Sequence, residues 1–107
     1  MVYVARTVNR IIEPVLGLDE LADALGSLKT RDEYRRFLRD LCTLYELEAL
    51  SHRWQIARLL DEGNLSYVDI AEKAGGSTAT VTRVSQWLRT GTGGYRTALD
   101  RAKRRRQ

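Results

Sequence analysis

Apolar residues recur along most of the chain at spacings of three and four, and no segment alternates as a half-buried strand would. This pattern predicts an all-α protein. Residues 1–16, which hold the single proline, Pro14, read as an N-terminal arm with no assignable element. Leu18 to Leu25 predicts a short helix ending at Gly26. Thr30 and Glu33 have the spacing of a capping box, in which a hydroxyl and a carboxylate reciprocally satisfy free amides at a helix start. The helix they open runs to about Leu41, with Tyr34, Phe37, Leu38 and Leu41 on one face. Thr43 and Glu46 form a second box and open the longest helix, to about Glu62, with Gly63 as its stop. Leu47, Leu50, Trp54 and Leu60 supply its apolar side, and Ile56 and Leu59 widen it. So broad a stripe implies burial against more than one neighbour.

The pattern then shortens. Ser66 and Asp69 form a third box, and the helix after them carries Val68, Ile70, Ala71 and Ala74. Gly75 and Gly76 give the backbone freedom to turn. Ser77 is placed to cap the next helix, whose Val81, Val84 and Leu88 form an inward stripe. Gly91, Gly93 and Gly94 break the chain again, and a last helix from Tyr95 to about Lys103 is expected to bury Tyr95, Ala98 and Leu99. Two short helices hinged on glycine over about residues 66–89 are the outline of a helix-turn-helix. An ordinary helical hairpin has the same outline, so the side chains must decide between them.

Composition narrows the choice. A chain of 107 residues, 43% hydrophobic, has room for one domain and one modest core. Its apolar runs are too short for a membrane span, and the N-terminus has no apolar signal segment. Cys42 and His52 are each the only residue of their type, which excludes an internal disulfide and leaves a zinc site almost without ligands. A cytoplasmic protein without metal or cofactor is the expectation. The net charge of +4 is unevenly spread. Residues 1–65 hold 9 Lys/Arg against 11 Asp/Glu, whereas residues 66–107 hold 9 against 3. The positive half contains the candidate motif and a basic tail over 103–107, with Lys103, Arg104, Arg105 and Arg106. Such clustering is the footprint of a polyanion partner, although a solvated tail that aids solubility has the same composition.

In a helix-turn-helix the N-terminal residues of the second helix meet base edges in the major groove. Here they are Ser77, Thr78, Ala79 and Thr82. Hydroxyls serve several bases, and alanine or threonine methyls suit the thymine methyl. Arg83 and Gln86 follow on the outward side, and Arg53 reads equally as a phosphate contact or as the partner of Glu46 or Glu48. The expectation is that Thr78, Thr82 and Gln86 govern sequence choice, while Arg83 and the 103–106 run govern affinity. No nucleophile–base pair, metal cluster or phosphate-binding glycine loop after a strand is present, so no catalytic residue is assigned.

Asp40-Leu41-Cys42-Thr43, Glu46-Leu47-Glu48-Ala49-Leu50 with Arg53, Ile70-Ala71, Gly75, Ser77-Thr78-Ala79-Thr80-Val81-Thr82-Arg83-Val84 and the Gly-Gly-Tyr at 93–95 resemble the Trp repressor superfamily, in particular its YerC/YecD-type members. The resemblance covers about residues 27–102. It implies a bacterial transcription regulator: an all-α, Trp-repressor-like domain, here 17–102, forming an intertwined homodimer with two helix-turn-helix heads. It also implies that Arg53 and Arg83 match the two arginines that sandwich the corepressor's indole, and that Thr43 and Thr80 match threonines near that pocket. Two residues depart from Trp repressor. Val84 stands where a glycine is expected and Trp87 where a serine is expected. Either these two fill a vestigial ligand pocket made with Thr43, Arg53, Thr80 and Arg83, or they are simple core packing; both readings disfavour tryptophan as corepressor. The expected partners are double-stranded DNA and a second copy of the chain, with no membrane and no specified small-molecule effector. The competing reading is a helical protein-interaction module without specific DNA binding.

Overall fold

The structure is a computed structural model that describes residues 15–106, so residues 1–14 of the expected arm lie outside it. Among the described residues every regular element is a helix: α1 Leu18–Gly26, α2 Arg31–Leu41, α3 Leu44–Glu62, α4 Tyr67–Ala74, α5 Thr78–Thr90 and α6 Gly94–Arg106. They fall into two units, residues 1–44 and 45–107.

In the first unit, the Thr30 hydroxyl accepts the Glu33 amide at 3.1 Å and starts α2. The reciprocal half of the expected box lands one residue early: Glu33 Oε1 accepts the amide of Lys29, not that of Thr30, at 2.8 Å. The same kind of orphan donor is satisfied either way. Neither α1 nor α2 buries a single residue. On α2, Phe37 and Leu38 are half-buried, while Tyr34 and Leu41 are 39% and 52% exposed.

The core lies in the second unit. Ile56, Ala57 and Leu59 of α3, Ile70, Ala71 and Ala74 of α4, and Val81 and Val84 of α5 form one buried cluster, with Trp54, Leu60, Leu65 and Tyr95 packed against it. Ile56, Ile70, Val81 and Val84 are fully enclosed, and burying each contributes about 1.5–3 kcal/mol. The apolar side of α3 is therefore centred on Ile56 and Leu59, and Leu50, expected on that side, is exposed. On α6 the inward residue is Leu99; Tyr95 is half-buried, and Ala98, expected to be buried, is exposed. The helix turns Ala98 away once Leu99 faces the core. The basic run read as a tail continues α6 through Arg106.

The α4–α5 corner follows from its residues. Ser66 caps α4 by accepting the Asp69 amide at 3.1 Å. Gly75 ends α4 in the left-handed conformation, φ 77°, which a side chain would strain. The amide of Gly76 then returns to the Ala71 carbonyl at 3.0 Å. Ser77 starts α5 by accepting the Thr80 amide at 3.2 Å. Three residues thus separate the two helices, the span of a helix-turn-helix turn.

Candidate nucleic-acid interface

α5 divides its side chains three ways. Val81, Val84 and Ser85 are buried, and Leu88 is half-buried beside them. Ala79, Thr82, Arg83 and Gln86 are exposed, as are Ser77 and Thr78 at the helix start. Thr80, Arg83, Val84 and Trp87 border an open cavity of about 730 Å3. Six of the seven residues expected to meet DNA thus gather on the exposed side and the first turn of one helix. The seventh, Arg53, is exposed on α3 and borders the cavity.

Local hydrogen bonds assign some of these groups in advance. Ser77 is occupied as a cap, and its hydroxyl also lies 3.2 Å from that of Thr80. Thr82 donates its hydroxyl hydrogen to the Thr78 carbonyl at 3.0 Å, which leaves its lone pairs and methyl pointing outward. The hydroxyl of Ser85 sits on the buried face, where an unsatisfied polar group would be costly. Tyr67 of α4 donates to it at 2.7 Å, so a hydrogen bond ties the two helices of the head together. Sequence reading missed this pair. Its signal was a serine between Val84 and Leu88 on an apolar stripe.

The cavity lies within the second unit. Its walls combine cationic side chains (Arg53, Arg83), the imidazole of His52, two indoles and a phenol (Trp54, Trp87, Tyr95), and small residues from Ala49 to Ala98. Among the described residues no carboxylate borders it. Four of the six residues expected to make a vestigial pocket meet there with Arg53: Thr80, Arg83, Val84 and Trp87. Thr43 belongs to the first unit. Val84 and Trp87 do not fill the space. Val84 follows Val81 into the core and shows the cavity only part of its surface, while Trp87 stands 48% exposed as a wall. The end of α5 is fitted to that indole: a Cβ on Gly91 would lie 2.7 Å from Trp87 Cε3 and 2.5 Å from the Trp87 carbonyl oxygen.

A second constellation joins α3 to α6. Asp61, with a side chain only 10% exposed, receives Arg96 at 2.9 Å and Lys103 at 2.8 Å. Hydrogen bonds from these two cations hold its carboxyl below the ordinary carboxylate range. Arg96 also pairs with Asp100 on its own helix, at 2.9 Å. Among the described residues no group of three or more His, Cys, Asp or Glu is placed to hold a metal, and no helix is long and apolar enough to cross a membrane.

This architecture matches known proteins. The Trp repressor protein family matches residues 16–103. The chain belongs to the Trp repressor family. Members of that family are regulatory DNA-binding proteins and not enzymes. An uncharacterized Bacillus subtilis protein, YerC, is 45% identical over 86 residues, which span 80% of this chain and 82% of YerC. A Trp operon repressor homolog of Chlamydia trachomatis is 37% identical over 70 residues, 62% of this chain and 74% of that protein. The crystal structure of a TrpR-like protein from Eubacterium eligens superposes with a TM-score of 0.77 at 39% identity, covering 89% of this chain and 95% of that one. The fold is therefore that of the Trp repressor-like proteins.

Proposed function

We propose that this chain is a cytoplasmic, sequence-specific transcriptional regulator that binds double-stranded DNA as a homodimer, without tryptophan as its corepressor. The observation that carries this reading is the exposed face of α5, where Ala79, Thr82, Arg83 and Gln86 stand beyond a capped first turn while Val81, Val84 and Ser85 anchor the helix. A helix so presented enters the major groove with its first turns against base edges. Thr82, its hydrogen engaged, accepts from the amino group of adenine or cytosine. Gln86 has the amide that pairs with adenine in two bonds, and Ala79 has a methyl for thymine. Arg83 and Arg53 supply phosphate contacts, which fix position but carry little sequence information.

The apolar face of α2, with Phe37 and Leu38 only half-buried and Tyr34 and Leu41 exposed, supports the second copy. Tryptophan is disfavoured by the cavity's own side chains: Val84 and the Trp87 indole border the space that a free indole would need.

The test is selection from a random duplex library, with and without millimolar L-tryptophan, alongside calorimetry with the amino acid. The expected result is one enriched site with two half-sites about one helical turn apart, roughly 34 Å, unchanged by tryptophan. Failure to enrich any sequence overturns specific DNA reading. A heat of tryptophan binding together with tryptophan-dependent selection overturns the effector reading.

A further inference from the structure

α6 sorts its cations onto two faces. Arg96 and Lys103 lie on the side of the buried Leu99, and both are held by Asp61. Arg101, Arg104 and Arg105 lie on the opposite side at i, i+3 and i+4, all exposed. The one carboxylate of the helix, Asp100, is taken by Arg96 through bonds of 3.0 and 2.9 Å. Among the described residues the outward arginines therefore form a row of like charge with no carboxylate of their own, an arrangement that costs helix stability at this spacing. Placement in the last turns offsets part of that cost through the helix dipole. Arg104 and Arg105 also lie beyond residue 103, where the match to the Trp repressor family ends.

We infer that this outward face is a second phosphate-binding surface, which holds the DNA backbone beside the site read by α5. The inference rests on the DNA-binding reading of the helix-turn-helix. Charge complementarity selects the partner: three planar guanidiniums suit phosphate oxygens in two-bond contacts. The face offers neither aromatic groups for stacking on unpaired bases nor an apolar centre for a protein partner. The structure divides the basic run differently from its sequence. Lys103 is spent on Asp61 and serves the fold, while Arg101, outside the run of four, joins Arg104 and Arg105 on the surface.

The test measures binding of the full chain to a labelled duplex as salt is varied, for the wild type, R101Q/R104Q/R105Q, the smaller R104Q/R105Q, the charge-retaining R101K/R104K/R105K, and K103Q. Each lost phosphate contact lowers the slope of log K against log salt by about 0.9. The triple glutamine variant should lose about 2–3 from the slope per bound protomer. The double variant should lose about 2, and its last-turn changes leave the core intact. The lysine variant should keep most of the slope. K103Q should keep the slope and lower the melting temperature. An unchanged slope in both glutamine variants, with wild-type binding intact, overturns the second surface and leaves the helix-turn-helix reading standing. A slope that changes for an RNA duplex but not for DNA overturns it too. Absence of wild-type binding to any duplex at low salt overturns the DNA-binding reading itself and this surface with it.

Discussion

Gln86 and Thr82 differ from Arg83 in what they offer a duplex, and mutation should separate them. If Gln86 makes the proposed two-bond base contact, Gln86→Ala is expected to cost about 1–3 kcal/mol at one operator position, relaxing preference there. Thr82→Ala should act similarly but through an acceptor and a methyl. Arg83→Ala should instead weaken all sequences alike and lower the salt slope by about 1. Binding measured across single-base operator variants decides this, and a uniform loss for Gln86→Ala would refute its reading role. Gly91 makes a different demand. With Trp87 Cε3 and the Trp87 carbonyl oxygen 2.7 and 2.5 Å from where a Cβ would sit, Gly91→Ala must displace the indole or the end of α5. Overpacking of this kind costs about 1–3 kcal/mol, and the variant should show a lower melting temperature with altered tryptophan fluorescence. The outward residues of α5 were legible in the sequence because helical periodicity places Val81, Val84 and Leu88 inward and leaves Thr82 and Gln86 outside. The cavity was not. It depends on how α3, α5 and α6 meet, and no local spacing states that Tyr95 and Trp87 border the same space as Arg53.

At the scale of elements, the capped starts of α2, α4 and α5 were readable because Thr30, Ser66 and Ser77 act within three residues of chain. What escaped were the contacts between elements. The bond from Tyr67 to Ser85 and the pairing of Asp61 with Arg96 and Lys103 join residues 18, 35 and 42 positions apart in the chain. The Asp61 clamp has a definite pH signature. Its carboxyl titrates below the ordinary value of 3.8 in the folded chain, because Arg96 and Lys103 donate to the ionised form. Its contribution is therefore complete above that ordinary value and is lost as the pH falls through the depressed one. Asp61→Asn should lower the melting temperature near neutral pH, by roughly 4–8 °C for each kcal/mol lost in a domain of this size. The variant should also lose part of the acid-side fall in stability below about pH 4. Melting curves from pH 3 to 7 test both, and parallel curves for variant and wild type would exclude the clamp as a source of acid sensitivity. Releasing α6 in this way also loosens the helix that carries the outward arginines, so DNA affinity should fall with stability in this variant.

For the whole molecule the telling contrast is between its two units. Among the described residues the second holds every residue of the buried core, and the first buries none on either helix. Yet α2 is strongly amphipathic, with Tyr34, Phe37, Leu38 and Leu41 at i, i+3, i+4 and i+7. Surface helices of this pattern gain their stability from covering the apolar stripe, since isolated helices of 11 residues are marginal in water. In the proposed homodimer a second copy of the chain would supply such cover in a closed, two-fold arrangement, which would also set two α5 helices for the two half-sites of an operator. The chain should therefore scatter light as a species of twice the monomer mass at micromolar concentration. Leu41→Glu and Phe37→Glu place a charge on the stripe and should shift it to monomer, with loss of helical signal from α2 and without loss of the buried cluster around Ile56. Because two heads bound together gain from each other's proximity, the monomeric variants should also bind a full operator no more tightly than a half-site. A wild type that remains monomeric while binding both half-sites would rule out the dimer and leave α2 in need of another cover.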